Sequence, residues 1–254
     1  KNKFFRKIKI KDNSFYEKLI NDKSYDLIIN CDPKNILSKK YFSKKINKDY
    51  GNIAFTTILK HKELKNHTAT QVFTKFGPIA YLPISKSETS IVCSLEVKNK
   101  KFTDNEVANL IKVNNNKYKI KKIMKLNKFE LQSSNLRSYY YKNILAFGDL
   151  LHKIHPLAGQ GFNITIRDIN VLSKIIQNRI DLGMQLDPLI FEEFEKKTKH
   201  SNFIFSSGVD FIYEFFNFDK KNNNTNLNKI LKYVGKNKSL NNLFIKLADN
   251  GLNI

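Results

Sequence analysis

The alternation of apolar and polar residues predicts mainly strands in the first half of the chain. Residues 6–11 alternate basic residues with isoleucine, a pattern typical of a half-buried strand. The apolar run 25–31, which is followed by Asp32, predicts a buried, parallel strand. Four further strand-like runs, divided by Gly77-Pro78 and by a polar turn at 85–88, occupy residues 53–60, 69–76, 79–84 and 89–96. Together they predict an antiparallel sheet inserted into another domain.

The second half of the chain changes to helical spacing. Thr103 and Glu106 have the spacing of a capping box, which predicts the start of a short helix. Residues 143–149 predict a buried strand that leads into a loop, and a helix should run from Gly161 to about Arg179. Its apolar positions are Phe162, Ile166, Ile169, Leu172, Ile176 and Ile180. Asp187 and Pro188 are suited to the N-cap and first residue of another helix, so the C-terminal part should be helical.

Composition and charge narrow the class of protein. With 254 residues, 41% of them hydrophobic, the chain can bury a core as one large domain or two interwoven smaller ones. The net charge of +22 is consistent with nucleic-acid binding, but only four of the 45 basic residues are arginine, the cation that reads bases best. We therefore expect no nucleic-acid partner. An AT-rich genome would explain the abundance of lysine and hence the positive charge. The alternative explanation of the charge is weak attraction to anionic membrane lipid.

The remaining composition bears on location. Cys31 and Cys93 lie far apart in the sequence and form no CxxC pair, so neither a disulfide framework nor a zinc site is predicted. No apolar run approaches the length of a membrane span, and the N-terminal residues lack the apolar centre of a signal peptide. We expect a cytoplasmic protein, soluble or peripheral at the inner face of the membrane.

The segment from Gly148 to Asn163 carries the most informative chemistry. It joins a predicted buried strand to an amphipathic helix and contains Gly148-Asp149 and Gly159-Gln160-Gly161. A carboxylate at the end of a strand can accept hydrogen bonds from ligand hydroxyls, and glycine lets a flat ring approach the backbone closely. The free amides at the start of the helix would stabilise negative charge on that ligand.

This segment resembles the second FAD-binding motif of the group A flavin monooxygenases, G-D-x-x-H-x-x-x-P-x-x-G-x-G-x-N. His155 before the proline and Arg167-Asp168 after the motif are similar to the ubiquinone-biosynthesis branch, the 2-polyprenylphenol hydroxylases. The resemblance implies that Asp149 holds the ribityl chain of FAD and that Pro156 lies beside the isoalloxazine ring. The cofactor-binding residues that it implies in this segment are Gly148, Asp149, Pro156, Gly159, Gln160, Gly161, Phe162 and Asn163.

Two other segments resemble the same family. Residues 25–32 are similar to its D-L-(I/V)-(I/V)-G-A-D-G motif, but Asn30 and Cys31 replace Gly-Ala, and Pro33 replaces the last glycine. Proline fixes φ and has no amide hydrogen, so a cofactor contact that needs this amide or a positive φ is lost at Pro33. Asp32 is therefore either a cofactor ligand or part of a plain strand-end turn. Residues 49–84 are similar to the substrate-side sheet, in which Phe76 and Tyr81 are either substrate contacts or core aromatics.

The resemblance implies an α/β (α+β) fold: a partial FAD-binding domain of the glutathione-reductase type, an inserted, mostly antiparallel substrate-side sheet, and C-terminal helices. The corresponding segments are 1–44, 45–135, 136–182 and 183–254. There is no glycine before Gly51 and no G-x-G-x-x-G turn for the FAD pyrophosphate, so the FAD half should be incomplete. The implied reaction is hydroxylation of a polyprenylated phenol with O₂ and NAD(P)H. The cofactor supplies the chemistry, so no protein residue is expected to be catalytic.

Several alternatives remain open from the sequence. His152 and His155 suggest a metal site, but no third ligand has suitable spacing, and His152 is expected to pack and hydrogen-bond beneath the loop. The chain could act on another substrate, as a different aromatic hydroxylase or an isoprenoid reductase. It could instead be a non-catalytic truncated fragment that acts as a membrane-surface or partner-binding module. For the enzyme, the resemblance implies association with the membrane periphery or with a ubiquinone-biosynthesis complex. The aromatic residues of 203–216 would contact lipid or a polyprenyl tail, or else belong to the core.

Overall fold

The computed structural model describes residues 14–21, 25–97, 100–154 and 160–222. These residues form two compact units. The first contains the described residues from 14 to 47 and from 134 to 216, and the second contains those from 48 to 133 and from 217 to 222. The strand predicted at 6–11 lies outside the described residues.

A short sheet forms the centre of the first unit. Strand β1 (Ile28–Asn30) pairs in parallel with β9 (Ile144–Ala146), and β8 (Tyr140–Tyr141) pairs antiparallel with the other side of β9. The parallel strand predicted at 25–31 is confirmed, although the ladder is only three residues long. The prediction that this strand is buried is wrong for Ile29, which is 49% exposed. A strand with one sheet neighbour alternates its side chains between two faces, and here one face meets solvent.

Five helices are described in all, and four belong wholly or mainly to this unit: α1 (Ser14–Asn21), α2 (Ile36–Tyr41), α4 (Gln160–Asp181) and α5 (Leu189–Asn222). The helix predicted from Gly161 is confirmed as α4. The predicted N-cap of α5 is also confirmed, because Asp187 Oδ1 accepts the Leu189 amide at 3.0 Å and the Arg179 guanidinium at 3.1 Å.

The face that α4 buries differs from the predicted one. Phe162 is 73% exposed and Ile180 is 52% exposed, whereas the buried positions are Ile164, Asp168, Leu172 and Ile175. Apolar residues lie on more than one side of this helix, so periodicity did not specify which side meets the core. Leu172 and Ile175 join a cluster with the buried residues of β9 and of α5.

An antiparallel sheet forms the second unit. Its strands are β2 (Lys45–His61), which starts in the first unit, β3 (Thr70–Thr74), β4 (Gly77–Pro83), β5 (Glu88–Glu96), β6 (Ile120–Ile123) and β7 (Asn127–Leu136), which ends in the first unit. The order is β7-β2-β5-β4-β3, and β6 also pairs with β2. The four predicted runs correspond to β2–β5, so the antiparallel sheet is confirmed. Strands β6 and β7 were not predicted.

Helix α3 (Asp104–Val113) packs on this sheet. Its capping box is present as predicted: the Thr103 hydroxyl accepts the Glu106 amide at 3.3 Å, and the Glu106 carboxylate accepts the Thr103 amide at 2.9 Å. Val107 and Ile111 are fully buried in one cluster with apolar side chains of β2, β4 and β5. This cluster is the core of the second unit.

Candidate functional site

The site predicted at the end of β9 begins with a glycine in the left-handed region and an exposed carboxylate. After Ala146, the chain makes a 3₁₀ turn over Gly148–Leu150, in which Gly148 has φ +59°. Gly148 is buried, and a Cβ added to it would meet no atom of the described residues within 4 Å. The Asp149 side chain is exposed and has no hydrogen-bond partner among the described residues. This carboxylate is therefore available to a ligand.

Asp32 follows the strand that pairs with β9. Asn30 and Ala146 are opposite each other in the parallel ladder, and the Phe147 amide donates to the Asn30 carbonyl at 2.9 Å. The chain therefore leaves both strands at the same edge of the sheet, so Asp32 and Asp149 lie on one side of the first unit. The Asp32 carboxylate accepts the Lys34 amide at 2.8 Å, as in a strand-end turn. Its role as a cofactor ligand stays a prediction.

A network of polar side chains supports this edge of the sheet. Asn30 is 6% exposed, its amide group donates to Ser38 Oγ at 2.9 Å, and its oxygen accepts from the Asn35 amide group at 2.7 Å. Asn35 also caps α2 by accepting the Ser38 amide at 2.9 Å. Sequence reasoning treated Asn30 only as a departure from the family motif. An amide side chain at the end of an apolar run indicates a buried polar group, and such a group requires hydrogen-bond partners nearby.

The N-terminus of α4 supplies the next group of predicted residues. Gln160 is the first residue of the helix and Gly161 the second, so the amides of this first turn have no partners within the helix. Phe162 and Asn163 have exposed side chains. The other residues predicted in this loop, His155, Pro156 and Gly159, lie outside the described residues, as does the side chain of Gln160.

His152 forms the hydrogen bond that its sequence context predicted, and the partner is a carboxylate. It belongs to the short strand β10 (His152–Lys153), which pairs with the end of β7 through Asn135. Its Nε2 lies 2.6 Å from Asp168 Oδ2, and both side chains are 1% exposed. Asn202 donates to the other oxygen of Asp168 at 3.0 Å. In the described part of the chain, no group of three metal-ligating side chains occurs.

Arg167 lies next to this group. Its guanidinium carbon is 4.1 Å from the centre of the Phe205 ring, which is a stacked cation–π contact. Burial lowers the pKa of the Arg167 guanidinium, and the Asp168 carboxylate partly opposes this effect. Its two terminal nitrogens are buried without a hydrogen-bond partner among residues that the structure describes, as is Nδ1 of His152. Sequence reasoning gave Asp168 no role, although it occupies the apolar face of α4.

The two predicted substrate residues belong to the second unit. Tyr81 is 2% exposed, and its hydroxyl donates to the Ile111 carbonyl at 3.0 Å. Burial, together with Cys93 and Tyr118, raises its pKa to about 12. This placement supports the core alternative for Tyr81. Phe76 is half-buried, and its ring packs edge-on against Phe102 at 5.3 Å, so only Phe76 retains surface for a ligand.

The described residues of the first unit fit the flavin cofactor that the motif implies. Gly148 has no side chain that would block a ligand from the backbone, and the exposed carboxylate of Asp149 can accept hydrogen bonds from ligand hydroxyls. The N-terminus of α4, a helix of 22 residues, favours negative charge on a ligand. The donors and acceptors are those that a ribityl chain and the pyrimidine edge of a reduced flavin require.

Comparisons with known proteins agree with this geometry. The squalene epoxidase family model matches residues 25–250. The chain is 24% identical over 197 residues to the ubiquinone biosynthesis monooxygenase COQ6 of Caenorhabditis elegans, covering 61% of this chain and 44% of the relative. It is 32% identical over 89 residues to the 3-demethoxyubiquinol 3-hydroxylase of Escherichia coli K12, covering 35% of this chain and 23% of the relative. The chain thus spans less than half the length of these curated relatives.

Solved structures show the same fold. The p-nitrophenol 4-monooxygenase PnpA of Pseudomonas putida superposes with a TM-score of 0.68 at 13% identity, over 90% of this chain and 60% of that structure. The anhydrotetracycline hydroxylase OxyS of Streptomyces rimosus gives a TM-score of 0.61 at 15% identity, over 90% of this chain and 46% of that structure. The predicted fold and the predicted resemblance to flavin-dependent hydroxylases are confirmed. The chain belongs to the squalene epoxidase family and has the partial FAD-binding fold of the FAD-dependent aromatic hydroxylases.

Proposed function

We propose that the chain is part of an FAD-dependent monooxygenase that hydroxylates a polyprenylated phenol in ubiquinone biosynthesis, with O₂ and NAD(P)H as co-substrates. One observation carries the proposal. Gly148 and Asp149 follow a buried strand whose parallel partner ends beside it at Asn30, and the Asp149 carboxylate is exposed. In α/β folds, ligands bind outside the carboxyl ends of parallel strands.

Each residue of the site has a positioning role in this proposal. The Asp149 carboxylate would accept hydrogen bonds from the ribityl hydroxyls, and Gly148 would allow the ligand to approach the backbone. By the family resemblance, Gly159, Gln160, Gly161 and Asn163 would offer backbone and polar contacts to the pyrimidine edge, Pro156 would lie beside the ring, and Phe162 would be a further cofactor contact. FAD, when bound, supplies electron transfer and oxygen activation, so the protein holds the cofactor and keeps water away.

The substrate and partners are assigned by similarity of sequence and by charge. Relatives named for ubiquinone biosynthesis support a phenolic substrate, and Phe76 is the remaining candidate for a contact to it. The net charge of +22 supports peripheral association with anionic lipid at the inner face of the membrane, or with a ubiquinone-biosynthesis complex. No helix in the described part of the chain is long and apolar enough to span a membrane.

A second candidate is flavin-dependent oxygenation of a different apolar substrate. The observation that favours it is the name of the matching family model, squalene epoxidase, since that name denotes an alkene rather than a phenol. The two candidates share the cofactor and differ in substrate. Oxygen consumption by the flavin-loaded natural protein, measured with a short-chain polyprenylphenol and separately with squalene, distinguishes them.

The cofactor assignment has a direct test in the 254-residue chain. These residues contain no G-x-G-x-x-G turn, so contacts to the FAD pyrophosphate are lost, each hydrogen bond to a charged group contributing about 1.5–3 kcal/mol. We expect the dissociation constant for FAD to lie above the micromolar range. In Asp149→Ala we expect it to be higher still. Glu130→Ala, which removes an exposed carboxylate from the second unit, is the matched control.

Flavin fluorescence titration measures these affinities, and saturation-transfer difference NMR extends the measurement to weak binding. Submicromolar binding would contradict our assignment of the binding energy. Equal effects of Asp149→Ala and Glu130→Ala would contradict the site itself. Both outcomes are readable without turnover, so they are independent of the substrate.

A further inference from the structure

A groove with apolar walls lies along strand β8, at the edge of the short sheet away from β1. It is lined by Ile46 of β2, by residues 135–142 and by one face of α5, all within the first unit. Its volume is 1030 Å³, at the upper end of the range of about 300–1,000 Å³ for small-molecule sites. None of these lining residues belongs to the candidate cofactor site, so the groove is a separate feature.

Aromatic and aliphatic side chains form most of the groove surface. Phe203 is 52% exposed and Ile46 is 49% exposed, so both offer apolar surface to an occupant. The Tyr141 ring is held in place by stacking on Tyr41 at 4.2 Å. Buried Tyr139 packs against Phe194 of the core. Tyrosine is enriched where an apolar and an aqueous phase meet, because its ring is apolar and its hydroxyl is polar.

The acidic groups of the groove are already paired. Glu192 forms an ion pair with Lys196 at 2.6 Å. Glu195 forms one with Lys199 at 2.5 Å and also accepts the Tyr139 amide at 3.1 Å. The charges of these four side chains therefore cancel.

Two further cations give the groove a positive rim. Arg137 and Lys142 also line the groove, and both are exposed. Neither forms an ion pair with any residue that the structure describes. Guanidinium and ammonium groups form charge-assisted hydrogen bonds with phosphate. The groove thus combines apolar walls with an excess of positive charge, which matches a ligand that has an apolar chain and an anionic head.

We propose that this groove binds one anionic phospholipid of a membrane, with an acyl chain along Tyr141 and Phe203 and the phosphate at Arg137 and Lys142. A neutral polyprenyl tail would gain nothing from these two cations. A second copy of the chain is disfavoured because the net charge of +22 makes two copies repel each other. The inference rests on the peripheral membrane association in the proposed function and gives it a site, but it does not depend on the flavin.

NMR titration of the 254-residue chain with monomeric dihexanoyl-phosphatidylglycerol tests the apolar wall, because a monomeric lipid offers no membrane surface. Phe203→Gln removes apolar surface and leaves the charge unchanged. We expect the dissociation constant to rise about fivefold, as the loss of a half-exposed phenylalanine predicts. Phe129→Gln is the matched control, since Phe129 is 57% exposed on β7 in the second unit and does not line the groove. It should leave the dissociation constant unchanged.

The same titration tests the cationic rim. Replacing Arg137 and Lys142 together by glutamine should raise the dissociation constant about tenfold, since each cation contributes to the attraction of an anionic lipid. Replacing Lys121 and Lys125 together by glutamine, which removes two exposed charges from the second unit, is the matched control and should have no effect. Dihexanoyl-phosphatidylcholine, which has no net charge, and inorganic phosphate, which has no acyl chain, should each bind about tenfold more weakly than the phosphatidylglycerol.

The proposal stands if Phe203→Gln and the rim variant both weaken binding relative to their controls. It is overturned if the folded Phe203→Gln and Phe129→Gln variants bind alike, if the rim variant binds like its control, or if the phosphatidylcholine or inorganic phosphate binds as tightly as the phosphatidylglycerol. If circular dichroism shows that Phe203→Gln does not fold, Ile46→Gln takes its place with the same expected change.

Sedimentation with vesicles of phosphatidylglycerol and phosphatidylcholine separates this inference from the proposed function. If the chain binds the vesicles while the groove variants leave the affinity for the short-chain lipid unchanged, the groove assignment fails and the peripheral association stands. If the short-chain lipid binds in the groove but the chain does not sediment with the vesicles, the peripheral association fails and the groove remains a lipid site.

Discussion

Gly148 provides the sharpest test of the cofactor site because the chain contains a matched glycine elsewhere. Gly148 has φ +59° and Gly183 has φ +67°, and a Cβ added to either would meet no atom of the described residues within 4 Å. Against those residues, both substitutions to alanine have a conformational cost and no steric clash. Gly183 lies after the last turn of α4, where its amide donates to the Ile180 carbonyl at 3.0 Å. It has no part in the proposed site.

The expected loss of stability is the same for Gly148→Ala and Gly183→Ala. A left-handed backbone costs an L-residue about 1–2 kcal/mol, and alanine recovers up to about 1 kcal/mol by restricting the unfolded chain. The net loss is about 1 kcal/mol, or about 2–4 °C in Tm for a chain of this size. Thermal unfolding followed by circular dichroism measures both variants.

The two variants should differ in cofactor binding. We assign the Gly148 backbone, next to the Asp149 carboxylate, to contact with FAD, and the Cβ of Gly148→Ala would obstruct that contact. Losing one hydrogen bond to a charged group, about 1.5–3 kcal/mol, weakens binding by roughly ten- to a hundredfold. Gly183→Ala should leave the affinity unchanged. Equal dissociation constants for the two variants, measured by flavin fluorescence or ligand-detected NMR, would refute the assignment of this contact to the cofactor.

Three further predictions concern stability and reactivity in the second unit and at β1. Gly77→Ala should unfold the second unit, because Gly77 has φ +135° and an added Cβ would lie 1.9 Å from a backbone oxygen of the neighbouring strand. Thermal unfolding checks this prediction, since the cooperative transition of the unit should be lost. The hydrogen bond from the Thr103 amide, with smaller contributions from Lys100, lowers the pKa of Glu106 from 4.5 to about 2. A carboxylate with a lowered pKa stabilises the fold above its unfolded pKa, so the stability difference between the wild type and Glu106→Ala should shrink as the pH falls from 5 to 2 in acid titrations. Burial raises the pKa of the Cys93 thiol to about 12, so iodoacetamide should label the exposed Cys31 in the native protein and Cys93 only after unfolding, as mass spectrometry can show.

Local sequence patterns predicted most of the described secondary structure and indicated the candidate site. Period-two alternation in residues 53–96 predicted the antiparallel strands, because a strand exposes alternate side chains to opposite faces. The capping box at Thr103 and the N-cap at Asp187 were predictable since both depend on side chains within three residues of the helix start. Gly148-Asp149 between a buried strand and a helix indicated a cofactor loop for the same local reason.

Long-range contacts decided what the local patterns left open. Helix α4 has apolar residues on several sides, and only its packing in the first unit selected Ile164, Leu172 and Ile175 as core positions. The sequence left Tyr81 open to a substrate contact or a core position, and Ile111, thirty residues away, supplies an acceptor for its hydroxyl in the core. Strand β7 lacks a clear alternation of burial, so its place in the sheet depends on pairing with β2 and β10.

The contact of His152 with Asp168 shows the same division most clearly. The sequence predicted that His152 would pack and form a hydrogen bond. Only the tertiary structure decided that its partner is Asp168, sixteen residues later, and that Asn202 from another helix completes the contact. A buried charge requires partners of the right geometry, yet periodicity reports only which face of a helix is apolar. The sequence therefore located the polar residues, whereas the packing of β10, α4 and α5 determined which of them meet.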